Sequence, residues 1–309
     1  MTKEIVLVTG GTGLVGHGIQ SHMKKYMGKE FIFIGSKDVN LCNLEETLAY
    51  FQRIQPTYVI HLASNVGGLF KNMKYKVEMF EQNMRMTMNI FHAARLVNVK
   101  KLVSCLSTCI FPDKVEYPIQ EEMLHDGPPH WSNDGYAYAK RMIDVLSSSY
   151  RTQYGCNFTC VIPCNVYGKY DNFSLEDGHV IPALIHKCYL ASQNNESLKV
   201  KGSGKPLRQF IYADDLGELI LWNLFEYEGS DNIILANEKE VSIGEVAEMV
   251  AGEFNVEVEY VEGEDGQYRK TVSTDLLKRL RPDFVGKDLR EALKETMEWF
   301  KENYEKVRK

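Results

Sequence analysis

Ile5-Val-Leu-Val-Thr-Gly10-Gly-Thr-Gly13-Leu-Val-Gly16 is an apolar run, a glycine turn and the start of a second apolar stretch. The glycines are spaced GxxGxxG. Between a strand and a helix, this spacing builds a cradle for a dinucleotide. Gly10 allows a tight turn, Gly13 lets the backbone approach a pyrophosphate, and Gly16 lets helix and strand pack closely. Thr12, Leu14 and Val15 complete the cradle, where a helix N-terminus turns N–H donors and a positive dipole end towards phosphate. A tight turn without a ligand would use the same glycines. The apolar strand before them and the apolar helix after them favour the nucleotide.

Working outward, Phe31–Ile34, Tyr58–His61 and Leu102–Leu106 are further apolar runs. Helical patterns separate them at about Leu14–Met27, Leu44–Ile54 and Met79–Leu96. A helix at 136–154 and a strand at 158–162 continue the rhythm. Strands that read as continuous apolar runs between helices are buried on both faces of a parallel sheet. The expected class is therefore α/β, a Rossmann-type doubly wound parallel sheet with a smaller C-terminal substrate-binding lobe. The dinucleotide-binding domain is expected over 1–168, with about 207–228 returning to it, and the smaller, interleaved lobe over 169–309. Order breaks at 110–135, which holds four prolines and two glycines, and a loop of that length in a compact domain is usually functional. Glycine turns are expected at Gly202, Gly204 and Gly263–Gly266. Leu289, Leu293, Met297, Phe300 and Tyr304 form one face of a last helix.

With 309 residues, 44% hydrophobic and 25% charged, the chain has ordinary globular composition and room for two domains. Disordered, collagen-like and coiled-coil classes are excluded. A net charge of −6 argues against a general nucleic-acid binder. No apolar run approaches the ~18–20 residues that span a bilayer. The start, MTKEIVLVTG, lacks the pattern of a signal peptide. Seven cysteines, odd in number and without a CxxC pair, suit reduced thiols in a cytoplasmic protein better than disulfides or a zinc site, and no metal is expected. Three Asn-x-Ser/Thr triplets then read as chance.

The second strand ends at Gly35-Ser36-Lys37-Asp38. A carboxylate at this place grips the ribose hydroxyls of NAD, whereas a hydroxyl and a cation suit a 2′-phosphate. Ser36 and Lys37 therefore point to NADP(H), with Asp38 as the alternative ribose ligand if the strand runs two or three residues longer. Gly202-Ser-Gly-Lys205-Pro is a decoy for a P-loop, with the wrong spacing and Pro206 where a hydroxyl is needed.

Tyr136-Ala-Tyr-Ala-Lys140 puts a phenol and an ammonium on one helical face. The cation is expected to lower the tyrosine pKa and make it a proton donor or acceptor near neutral pH. The pair opens the helix after the fourth strand, whose end carries Ser107, Thr108 and Cys109. Ligands of open α/β sheets bind at the carboxyl ends of strands, so Ser107 is placed to hydrogen-bond a substrate carbonyl.

Taken together, the glycine turn, the hydroxyl after the fourth strand and the Tyr-x-x-x-Lys helix resemble the extended short-chain dehydrogenase/reductase family. Ser107-Thr-Cys109-Ile-Phe-Pro112, Ile162-Pro-Cys-Asn165-Val-Tyr-Gly168, Tyr170-Asp-Asn-Phe173 and His179-Val-Ile-Pro182 are similar to its GDP-L-fucose synthase branch, the 3,5-epimerase-4-reductases. The resemblance implies a Ser107, Tyr136 and Lys140 reductase triad, Cys109 as the base at C3 and C5 of the sugar, and His179 as the acid. It implies GDP-4-keto-6-deoxy-D-mannose as substrate and GDP-L-fucose as product. Leu62, Ala63, Pro163, Asn165 and His179 would join Tyr136 and Lys140 around NADP(H). Asn165, Val180, Lys187, Arg208 and, more weakly, Arg269 with Lys270 would line the sugar nucleotide. Lys201 departs from the pattern, since the branch more often has an aromatic or other apolar residue there.

A 4-epimerase or 4,6-dehydratase holding NAD is the nearest alternative. The former has no need of Cys109 and His179 together, and the latter is expected to carry an acidic pair at 108–109. A non-catalytic NADP-binding sensor is the remote alternative, and it would have no use for the Tyr/Lys pair. The resemblance also implies a homodimer through the helices at 79–96 and 136–154, for which Met79, Met84, Met86, Met88, Phe91 and Tyr150 offer apolar surface unless they simply cover the sheet.

Overall fold

The computed structural model describes residues 3–265 and 267–309. Gly266, one end of the expected Gly263–Gly266 turn, lies outside them. In chain order the elements are β1 (Glu4–Thr9), α1 (Leu14–His22), β2 (Lys29–Ile34), α2 (Leu44–Ile54), β3 (Tyr58–His61), α3 (Leu69–Lys74), α4 (Lys76–Leu96), β4 (Lys101–Cys105), α5 (Asp134–Tyr154), β5 (Phe158–Pro163) and β6 (Asn165–Tyr167). They continue with α6 (Val180–Asn194), β7 (Leu198–Lys201), β8 (Leu207–Tyr212), α7 (Ala213–Phe225), β9 (Ile233–Leu235), β10 (Glu240–Ser242), α8 (Ile243–Phe254), β11 (Val258–Val261), α9 (Asp275–Leu280) and α10 (Leu289–Asn303).

Six parallel strands form the central sheet in the order β2-β1-β3-β4-β5-β9. Val6 lies opposite Phe31 on one side and Tyr58 on the other. The chain leaves β1 towards one edge and comes back to place β3 on the other side. A crevice opens at such a reversal, at the carboxyl ends of the strands. The interior strands are buried on both faces, which is why they read as unbroken apolar runs. Two smaller sheets, β10-β8-β6 and β11-β7, lie outside it.

Two hydrophobic cores follow. One joins β1–β5 and their helices to Ile211, Leu216–Leu224, Ile233–Ala236, Val272 and Leu277. The other joins Tyr167, Phe173, α6, β7, α8 and α10. Segments after residue 207 thus feed both cores. Helices α1 and α7 cross at van der Waals contact, because a Cβ on Gly217 would lie 2.3 Å from the Gly18 carbonyl carbon.

Several ends follow from local chemistry. Asn43 caps α2 by accepting from the Glu46 N–H, and Ser242 and Glu245 form a reciprocal capping box on α8. Gly155, at φ 66°, ends α5. The α1 helix stops at His22 and passes into a 3₁₀ turn over Met23–Lys25, short of the expected Met27. Strand β4 starts a residue early at Lys101, whose buried ammonium donates to the carbonyls of Asn223 and Tyr227 at the end of α7. Tyr304 falls just past α10, yet packs on Phe300 with the rest of its face.

The expected break at 110–135 is ordered. It carries 3₁₀ turns at Glu121–His125 and Trp131–Asn133, and Ile119 pairs with Thr271 and Ser273 from the far end of the chain. Buried Arg141 on α5 ties it down, donating from Nε to Ile110 O and from Nη1 to Gly127 O, both at 2.8 Å. One expectation for the outer helices is corrected. Met79 and Phe91 are fully buried within the chain, Phe91 edge-on to Tyr150 and Phe158, so neither offers surface to a second copy.

Candidate active site

The glycine turn sits at the crevice between β1 and β3. A Cβ on Gly10 (φ 68°) would lie 2.7 Å from Ala63 N, and one on Gly16 would lie 2.1 Å from Gly11 O. Gly13 meets only Gly10 O, at 3.3 Å, and is the N-cap of α1 with no side chain capping it. The first turn of α1, with Leu14 and Val15, therefore keeps its N–H groups for a ligand. Beneath the turn, His61 is wholly buried between Thr9 Oγ1 at 3.0 Å and Thr87 Oγ1 at 3.3 Å. Burial pushes its imidazole down to about 3, so it is a neutral brace between β1, β3 and α4.

Thr12 and Gly35 touch across the crevice rim. Ser36 and Lys37 are exposed there. The Asp38 carboxylate turns back to accept from the Gly35 N–H at 2.8 Å, closing its own turn. The residues present fit a dinucleotide, and the free hydroxyl and ammonium on the rim fit a 2′-phosphate better than Asp38 fits a ribose.

Strand β4 delivers Ser107 to the same edge. Its Oγ accepts from the Cys109 N–H at 3.4 Å, capping a 3₁₀ turn over Thr108–Ile110, and its hydroxyl also reaches the Cys109 thiol. Cys109 is buried. Burial pushes its thiol up, while Lys270, Ser107 and Lys140 pull it back. Lys270 came into sight in the sequence only as a phosphate candidate. It faces this thiol because its neighbours are pinned: Arg269 pairs with Glu240 through Nε and Nη2, both at 3.0 Å, and the Val272 N–H donates to Gln209 Oε1.

Tyr136 and Lys140 stand one turn apart on α5, the Lys140 Nζ 6.0 Å from the Tyr136 ring centre. The ammonium donates to Cys105 O at 2.9 Å. Here the sequence expectation is corrected. The phenol pKa is raised, not lowered, because burial outweighs the cation, whose charge is turned to a carbonyl; the Cys109 and Cys105 thiols add to the rise. The Ser64 hydroxyl, on the loop after β3, faces the phenol and opposes that rise. Burial also lowers the Lys140 pKa. Tyr136 is thus a protonated phenol at neutral pH, the state that a proton donor needs.

His179 is the N-cap residue of α6, an exposed position, with its ring uninvolved in the cap. Desolvation by its neighbours pushes its pKa down. The segment before it packs on the loop after β3, where a Cβ on Gly68 would meet Asp177 O at 3.5 Å. Val180 follows it, exposed. Leu62 and Ala63 line the glycine turn, Pro163 ends β5, and Asn165 on β6 donates to Gln209 O at 2.8 Å. Arg208, one residue before Gln209 on β8, donates from Nη1 to Leu207 O, and burial lowers its pKa. Lys187 on α6 is half-buried and lowered by burial and by Lys201. Arg269, by contrast, is already committed to Glu240. Among the described residues no group of three or more His, Cys, Asp or Glu side chains is placed to hold a metal.

A dinucleotide cradle and a helix carrying a protonated phenol at one sheet edge suit redox chemistry on a nucleotide-linked substrate. The chain belongs to the NAD dependent epimerase/dehydratase family, whose family model matches residues 6–236. Within it, the chain is 52% identical to the GDP-L-fucose synthase of Dictyostelium discoideum, over 100% of this chain and 98% of that one. It is 46% identical to a probable GDP-L-fucose synthase of Drosophila melanogaster, over 98% and 99%. The crystal structure of a GDP-L-fucose synthetase from Naegleria fowleri bound to NADP superposes with a TM-score of 0.93 at 48% identity, covering 100% of this chain and 96% of that one.

Proposed function

We propose that the chain converts GDP-4-keto-6-deoxy-D-mannose to GDP-L-fucose, by 3,5-epimerisation followed by reduction at C4 with NADPH. The observation that carries this reading is identity near one-half with GDP-L-fucose synthases over the full chain. The Cys109–Ser107–Tyr136–Lys140 cluster, with Cys109 and Lys140 buried, supports it.

The ketone at C4 acidifies the C–H bonds at C3 and C5. Cys109 removes those protons, and His179 returns protons from the other face, inverting both centres through enolates. Bound NADPH supplies hydride to C4. Tyr136 gives its proton to the C4 oxygen, and Ser107 hydrogen-bonds that oxygen. Gly10, Thr12, Gly13, Leu14, Val15, Gly16, Leu62, Ala63, Pro163 and Asn165 hold the dinucleotide, with Ser36 and Lys37 on its 2′-phosphate. Lys187 and Arg208 take the diphosphate of the sugar nucleotide, since guanidinium and ammonium groups in partly dry settings bind phosphate strongly.

We further propose that 1–168 with about 207–228 forms the cofactor domain, and that the rest of 169–309 forms the substrate lobe. The working form is a homodimer. Val77, Phe80 and Met88 on α4 and Val145 on α5 expose apolar surface for it. Seven free cysteines suit a cytoplasmic enzyme.

The test is to supply GDP-4-keto-6-deoxy-D-mannose, follow NADPH and NADH absorbance in parallel, and identify the sugar by NMR. NADPH oxidation with formation of GDP-L-fucose is expected. Reduction without inversion would remove Cys109 and His179 from their roles. Oxidation of neither cofactor would favour an epimerase that retains NAD.

A further inference from the structure

The Ser64 hydroxyl is placed between the Tyr136 phenol and a side chain that controls which way it points. Asn83, buried on α4, makes four hydrogen bonds. Its Oδ1 accepts from Ser64 Oγ at 2.8 Å and from Asn65 N at 2.9 Å, and its Nδ2 donates to Asn65 O at 3.0 Å and Met79 O at 2.6 Å. Two donors and two lone pairs are all that an amide has. The amide cannot flip, because it meets a backbone N–H on one side and two carbonyls on the other. The Ser64 proton is therefore directed to Asn83 at rest, and the oxygen that faces Tyr136 presents lone pairs.

A hydroxyl has one proton and turns easily. While that proton lies on Asn83, the Ser64 oxygen has only lone pairs to offer the phenol. When the phenol has given its proton to substrate, the Ser64 O–H can turn to the phenolate oxygen, and Asn83 Oδ1 is still satisfied by Asn65 N. We propose that Ser64, set by Asn83, is a positioning residue for the reduction step: it orients the Tyr136 O–H and then donates to the phenolate. This rests on Tyr136 being the proton donor.

The experiment separates the two half-reactions. Epimerisation is followed as deuterium wash-in at C3 and C5 without cofactor, and reduction as the single-turnover rate of NADPH oxidation. Loss of one such hydrogen bond in Ser64→Ala is expected to slow reduction roughly threefold to tenfold. The sugar-nucleotide KM and the deuterium wash-in should stay unchanged, and Ser64→Thr should restore the rate. On a Tyr136→Phe background Ser64→Ala should add nothing. An unchanged reduction rate, an equal fall in both half-reactions, or losses that multiply in the double variant would overturn the proposal. Full reduction by Tyr136→Phe alone would instead overturn the proton-donor reading, and this proposal with it.

Discussion

A thiol that acts as a base must first lose its own proton, and at Cys109 burial works against that while the Lys270 ammonium works for it. The pH dependence follows in sign. The thiolate fraction grows with pH, so deuterium wash-in at C3 and C5 rises through an alkaline limb. Lys270→Met removes the strongest stabilising charge, raises the thiol pKa further and moves the limb to higher pH. At neutral pH the expected loss is about threefold to tenfold, read from wash-in rates across the pH range. Cys109→Ser should cost about 10²–10⁴-fold at any pH. A second buried group behaves oppositely. Asp171 leaves Oδ2 without a partner, and burial pushes its carboxyl up to about 7. The folded state then holds a proton that the unfolded chain releases near pH 4. Stability tied to this group is complete below that pH and is lost as pH rises towards 7. Asp171→Asn should be nearly neutral in denaturant unfolding at acid pH and stabilising by about 2–4 kcal/mol at pH 8.

At the scale of elements, what was legible was what local chemistry decides. Strand β3 and helix α2 were located to the residue, because Pro56 and Thr57 separate them and Asn43 caps the helix. Tyr136 and Lys140 were legible as a pair because a helix repeats every 3.6 residues. The 110–135 stretch was not, since its order comes from Arg141 and from Thr271 and Ser273, over 150 positions away from Ile119. Ser64 has no spacing that marks it, and Lys270 is aimed by the pinning of its neighbours. Arg141→Met leaves one buried and one half-buried carbonyl without donors and is expected to cost about 2–4 kcal/mol in denaturant unfolding. Because Ile110 directly follows Cys109, the same variant should lose epimerisation more than cofactor binding, which wash-in and NADPH titration would separate.

For the whole molecule, the exposed apolar faces of α4 and α5 are the surfaces through which a dimer would form. Met88 and Val145 are each more than two-fifths exposed, where Met79 and Phe91 are sealed inside. Placing Glu at both Met88 and Val145 puts two charges per copy into that contact. Sedimentation should show the parent chain as a dimer and the double variant as a monomer, with its far-UV spectrum unchanged. A parent chain that sediments as a monomer would remove the dimer from the proposal.

The division of one core among distant segments also bears on how the molecule is made. The cofactor cradle lies within the first 16 residues, but the core that supports it takes in Leu216–Leu224, the edge strand at Ile233 and finally Val272 and Leu277. A nascent chain emerging from its N-terminus first therefore carries the complete nucleotide fingerprint long before it owns the platform on which that fingerprint is rigid. Until about three-quarters of the chain is synthesised, β5 has an open edge where β9 will later lie. The enzyme matures late and all at once: neither half, cut from the other, would inherit a finished interior.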